Sequence, residues 1–125
     1  MKKISSVISL SFLVLFLLVS CDKSSSDEKK EVYQLQEQCK KKSEEFYKKK
    51  FNDSGFYQNH YNKKQNKCFL LVDDSEKYRK NLFEVNELKI YGSYSTEKGV
   101  FCDVLEKKCK SEEEWDLLVK PYMEE

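Results

Sequence analysis

Phe56-Tyr57-Gln58-Asn59-His60-Tyr61 and Cys68-Phe69-Leu70-Leu71-Val72, joined by Asn62-Lys63-Lys64-Gln65-Asn66-Lys67, form the stretch that sets the fold class. Both flanking runs are rich in aromatic and branched side chains, which suit a pleated, half-buried surface. The joining residues are all polar, so the stretch predicts a β-hairpin. On its N-terminal side the pattern is helical from Glu31: Val32, Leu35, Cys39, Ser43, Phe46 and Lys50 fall on one stripe. Lys40, Lys41, Lys42, Glu44, Glu45, Lys48 and Lys49 cover most of the rest, and Asn52-Asp53-Ser54-Gly55 ends the helix with turn chemistry.

On the C-terminal side, Asp73 to Asn81 is polar and reads as a loop with a helical turn after Asp74. Between Leu82 and Tyr94 the alternation slips at Asn86-Glu87, which predicts a bulge or a break. Gly99 suits a left-handed position closing a hairpin loop, ahead of a strand from Val100 to Val104. Ser111-Glu112-Glu113-Glu114 has the form of a capping box before Trp115, Leu118 and Val119, and Pro121 is expected to interrupt or end that helix. The expected fold is α+β: an N-terminal helix, a small antiparallel sheet with the helices on one face, and a C-terminal helix.

With 23 Lys+Arg against 22 Asp+Glu in 125 residues, the chain lacks the basic excess of a strongly cationic nucleic-acid binder. One Pro and three Gly exclude collagen-like and Pro/Gly-rich disordered classes, and the 14% aromatic content argues for a packed core. Lys2 and Lys3 precede an uncharged apolar run from Ile4 to Val19. At about 1.5 Å per residue such a run is short of the roughly 30 Å bilayer core, so it reads as a cleaved leader and not a span.

The end of that run, Leu18-Val19-Ser20-Cys21, resembles the lipobox of bacterial lipoproteins. The resemblance covers residues 1–21 and implies cleavage before Cys21, lipidation of its thiol and acylation of the new N-terminus. It also implies a protein held in the cell envelope through its lipid, with the domain exported to the periplasm or the cell surface. The expected organisation is a leader over residues 1–20, lipidated Cys21 with a flexible tether to residue 30, and one domain over 31–125. The tether expectation rests on Asp22 to Lys30, which contain no apolar residue.

With Cys21 assigned to lipid, Cys39, Cys68, Cys102 and Cys109 remain, an even number in an exported chain, which reads as two disulfides. Four cysteines allow three connectivities, and sequence does not choose among them. The expectation carried forward is Cys102–Cys109 with Cys39–Cys68, because a tight hairpin would set 102 against 109 as a non-hydrogen-bonded antiparallel pair. Leu105-Glu106-Lys107-Lys108 is poor turn chemistry for that hairpin. Wide cysteine spacings and a single His do not suit a metal site, so no metal, cofactor or small-molecule substrate is expected.

His60 has no accompanying nucleophile pattern, and a structural or surface role is its ordinary explanation. The charge is asymmetric: Lys40–Lys42, Lys48–Lys50, Lys63, Lys64 and Lys67 lie early, while Glu112–Glu114, Asp116, Glu124 and Glu125 lie late. Such a distribution would suit an anionic headgroup or an acidic envelope partner, against the ordinary account of a solubilising surface. Tyr57, His60, Tyr61, Lys63, Lys64 and Lys67 are the candidate partner-binding residues, since Tyr offers contact area and Lys attraction. The leading expectation is a non-enzymatic, membrane-anchored binding or accessory module. An inhibitor or exclusion factor for one envelope protein is the alternative, and a minimal hydrolase built on His60 the third reading.

Overall fold

A computed structural model of the protein describes residues 24–124. The leader and Cys21 lie outside the described residues. The chain divides into two units, residues 1–31 and residues 32–125. Of the first unit, only the opening turns of α1 (Ser24–Phe51) are described. The expected helix start at Glu31 is corrected: α1 begins at Ser24, so Ser24 to Lys30 are helical, seven residues ahead of it. Lys and Glu have good helix propensity, and Asp27 lies in the first turn, where the helix dipole favours an acid.

The second unit carries a six-stranded antiparallel meander, β1 (Phe56–Asn62), β2 (Lys67–Asp74), β3 (Arg79–Glu84), β4 (Lys89–Ser95), β5 (Phe101–Val104) and β6 (Lys107–Lys108), ordered as in the chain. It closes with α2 (Glu112–Met123). The hairpin is present, with Tyr61 opposite Cys68 and Asn62 opposite Lys67. Asp73 and Asp74 belong to β2, and the expected loop is reduced to a 3-10 turn at Ser75–Lys77.

The two helices lie on opposite faces of the sheet, correcting the expectation that they share one. Successive β2 side chains point to opposite faces. Cys68, Leu70 and Val72 join Cys39 and Tyr47 of α1, together with Tyr61, Phe83 and Val85. Phe69 joins Trp115, Val119 and Met123 of α2, together with Leu82, Tyr91, Cys102 and Val104, with Leu71 packed against them. There are thus two cores with β2 contributing to both.

The slip between Leu82 and Tyr94 has two sources. Residues 85–88 are the β3–β4 turn, and a register shift between Leu82 and Phe83 leaves Tyr91 as the extra residue on β4, since Gly92 pairs with Leu82 and Ile90 with Phe83. Gly99 takes φ 100° in the β4–β5 loop, as expected.

Both disulfides form with the expected pairing, at Cα separations of 5.4 Å for Cys39–Cys68 and 4.9 Å for Cys102–Cys109. Cys109 N–H donates to the Cys102 carbonyl, so this pair is not the non-hydrogen-bonded type expected. The awkward turn before it is made by placing Leu105 in the left-handed region, at φ 53°.

α2 starts on the expected cap. Ser111 Oγ accepts from Glu114 N–H, and the Glu114 carboxylate accepts from Lys110 N–H, one residue before the cap. Pro121 lies inside the helix, which runs on to Met123. The Leu117 carbonyl that Pro121 leaves without a helical donor belongs to an exposed residue, so water can reach it. The last turn is held by Asn62, whose side-chain amide donates to the carbonyls of Pro121 and Tyr122 at 3.0 and 3.3 Å. Its Oδ1 accepts Gln65 N–H, so one buried Asn fixes both the β1–β2 turn and the end of α2.

The other end of α2 is fixed by charge. Lys80 Nζ pairs with Glu112 and lies 3.7 Å from Asp116 and 3.9 Å from Asp73. Partial burial pulls the Lys80 pKa down, but the Glu112 hydrogen bond and the charges of Asp116, Glu112 and Asp73 raise it further, leaving it above its ordinary 10.5. A group with a raised folded pKa stabilises below its unfolded pKa and loses that contribution as pH rises through the folded value. Burial also raises the pKa of the Tyr47 hydroxyl, with the charge of Asp53 next, and its loss has the same sign. Stability is therefore expected to fall above about pH 10.5, and to fall less steeply in Lys80→Met. Chemical denaturation between pH 8 and 11.5 measures it, and parallel curves for the two proteins would refute the assignment.

Candidate functional site

The six candidate binding residues do not form one surface. Strand alternation sends Tyr57 and Tyr61 to the α1 side, where the Tyr57 ring lies 4.3 Å from that of Tyr47 and Tyr61 is buried in the core. Tyr61 hydroxyl donates to Asn66, and its backbone N–H to the side chain of Gln36. His60 is half-buried on the opposite face, in phase with Asn62. Lys67 is engaged as well, donating to Tyr91 Oη at 3.0 Å and to Glu87 at 3.4 Å. Lys63 and Lys64 are exposed on the turn. Tyr61 and Lys67 are thus committed to holding the sheet together.

A better-formed site lies between α1 and the β3–β4 turn. Lys42, Glu45, Phe46, Lys49 and Lys50 recur at spacings of three, four, seven and eight, which puts them along one side of the helix. The turn supplies Val85, Asn86 and Leu88, and together these residues line an open cleft of about 620 Å³. Its shape is enforced locally. Glu84 is buried, and its two carboxylate oxygens accept the N–H groups of Asn86 and Glu87 at 3.2 and 2.7 Å. Val85 N–H donates to the Cys68 carbonyl. Lys42 Nζ reaches across to Asn86 Oδ1 at 2.8 Å, joining the two walls.

The floor is apolar and the rim basic. Phe46 packs edge-on against Phe83 at 5.1 Å, and the Lys50 ammonium sits 4.7 Å from the Phe83 ring centroid and 5.3 Å from that of Phe46. Leu88 is 66% exposed and takes φ 55°. A large aliphatic residue gains nothing from either condition, because exposure forgoes burial and the left-handed region costs it about 1–2 kcal/mol.

A second cleft of about 560 Å³ lies on the sheet face, lined by Arg79, Asn81, Ser93, Ser95, Glu97 and Phe101. There the Arg79 guanidinium is already paired with Glu97, and Ser93 with Asn81. The α1 cleft keeps an apolar floor beneath a cationic rim. Sequence reasoning found Phe46 and the lysines, but assigned Phe46 to the core stripe and saw only irregularity at residues 85–88.

Among the described residues, no group of three or more His, Cys, Asp and Glu is placed to hold a metal, and no helix is long and apolar enough to cross a membrane. Comparison with family models, with characterised proteins and with solved structures finds no match to the chain.

Proposed function

We propose that this chain is a lipid-anchored cell-envelope protein whose folded domain is a non-enzymatic binding module. The α1 cleft is its recognition face, and the partner it fits is an anionic, partly apolar protein segment. The lipobox resemblance at Leu18-Val19-Ser20-Cys21 supports the anchoring half. The binding half is carried by the cleft, where Phe46, Val85 and exposed Leu88 lie within a rim of Lys42, Lys49 and Lys50. Apolar contact supplies affinity and the ammonium groups supply steering and orientation. A dedicated inhibitor of one envelope enzyme would be a narrower case of the same reading.

Two measurements test it. Cys21→Ser should move the protein from the membrane fraction to soluble or unprocessed material, since a stable anchor needs the acyl chains. Unchanged detergent-phase partition would remove the lipoprotein reading. Leu88→Ser with Lys49→Glu should leave the melting temperature within a few degrees, because both residues are exposed. The pair should abolish capture of whatever the wild-type chain retains from solubilised envelope, and undiminished capture would place the binding face elsewhere.

A further inference from the structure

The cleft has a counterpart on the same molecule. The outer side of α2 carries Glu113, Leu117, Lys120 and Glu124 at spacings of four, seven and eleven. Leu117 is 68% exposed, the most exposed aliphatic residue among those described. The stripe borders a shallow cleft that also takes in Asp116. One apolar residue within mostly acidic neighbours is the inverse of an apolar floor within mostly basic ones. Each surface also holds one charge of the minority sign, Glu45 on the cleft and Lys120 on α2, where the Lys120 ammonium lies 3.6 Å from the Glu124 carboxylate in an exposed pair that docking would have to exchange.

Those charges favour one register. With Leu117 of one copy set against Phe46 and Leu88 of another, and the two helices antiparallel, residues after Phe46 meet residues before Leu117. Lys49 and Lys50, three and four residues on, then face Glu113, four residues back. Glu45 falls about 3 Å from Lys120 along the axis, while Lys42 lies between Lys120, about 1.5 Å away, and Glu124, about 4.5 Å away. At 1.5 Å per residue the partners fall within about 5 Å of one another along the axis, within reach of Lys and Glu side chains. A parallel arrangement would set Lys49 against Lys120 and Glu45 against Asp116, two like-charge contacts where the antiparallel one has a single one, Lys42 with Lys120, so the antiparallel arrangement is favoured.

We propose that the occupant of the α1 cleft is α2 of a second copy of this chain, docked through Leu117 and the Glu113–Glu124 stripe. This rests on the reading of the cleft as a binding face. The cleft and α2 lie on opposite faces of the sheet, so the contact is not self-complementary about a twofold axis. Each copy offers one cleft and one stripe, and copies join head to tail. On a membrane, lipid anchors would hold such copies at high local concentration, which raises occupancy without new contacts.

The test uses the full-length chain in its own membranes, with photoreactive p-benzoylphenylalanine at position 88. Illumination should give a ladder at multiples of the chain mass, with the adducts mapping to Glu113–Glu124. In chains that also carry Glu113→Lys and Glu124→Lys the ladder should weaken at least about tenfold, as expected when two charge pairs become repulsive. A copy with the crosslinker, Lys42→Glu and Lys49→Glu, co-expressed with a Glu113→Lys/Glu124→Lys copy, should recover adducts between the two. A merely structural effect of the substitutions would not be reversed in this way. Adducts to a different protein or to lipid would overturn the self-docking while leaving the cleft a binding face. Absence of any adduct would overturn both. A ladder that survives the α2 charge reversals, or maps outside α2, would overturn the self-docking alone.

Discussion

Replacing Trp115 by Ala is expected to remove about 3–5 kcal/mol, a large part of the total stability of a domain this size. Trp115 has no exposed surface and sits at the centre of the α2-side core, among Phe69, Leu82, Cys102, Val104 and Val119. The loss has two sources. A cavity is left beneath α2, and the Asp103 carbonyl loses the indole N–H that now donates to it at 3.2 Å. Trp115→Phe separates them in part, since it deletes the donor while leaving a smaller cavity than Ala does. It should cost about 1–3 kcal/mol, chiefly the penalty of one buried polar group left unpaired. Chemical denaturation followed by circular dichroism measures both. If Ala and Phe lie within about 1 kcal/mol of each other, lost packing is not the larger of the two sources and the centre of this core lies elsewhere.

Most of the fold could be read from the residues because local and tertiary signals agree. The capping box at Ser111, the left-handed Gly99, the polar 62–67 turn and the even cysteine count each dictate a structure that the rest of the chain accepts. The side on which the helices pack was also legible, but from a different cue. Cys68-Phe69-Leu70-Leu71-Val72 is apolar without alternation, the pattern of a strand buried on both faces, which requires a cover on each. The early start of α1 was missed because absence of apolar residues excludes packing and does not exclude helix. Lys and Glu between Asp27 and Lys30 favour a solvated helix without any partner surface.

The site was less legible, for a physical reason. A chemical cluster in sequence becomes a cluster in space on a helix side, where residues three and four apart meet, but is divided by a strand. Tyr57 and His60 are three apart on β1, and the pleat therefore places them on opposite faces. Lys42, Phe46 and Lys49 are four and three apart on a helix and therefore line one cleft. The other wall of that cleft, Val85 and Leu88, is about forty residues away and is aimed by the buried Glu84 carboxylate, which no sequence motif announces.

Removing the Cys39–Cys68 bridge should cost more than removing Cys102–Cys109, and the difference follows from loop length. In the chain-entropy account a bridge restricts the unfolded chain according to the residues it encloses. Sequence separations of 29 and 7 correspond to about 3.6 and about 2.5 kcal/mol. The native contacts widen the gap. Cys39–Cys68 ties α1 to the central strand β2, and both cysteines are buried beside Tyr47 and Leu70. The stripe that α1 otherwise buries is thin, since Leu35, Phe46 and Phe51 are only half-buried. Cys102–Cys109 closes a hairpin that Trp115 and the Ser111 cap already hold from the other side. The double change Cys39→Ala/Cys68→Ala should therefore lower the melting temperature by about 15–25 °C. It should also release the amides of α1 to hydrogen exchange before those of β2 and β3, because the helix loses the disulfide that ties its middle to a sheet whose ladder remains intact. Equal losses from the two double changes, or exchange that advances through α1 and the sheet together, would mean that α1 is held by its side-chain contacts and that the bridge only reinforces them.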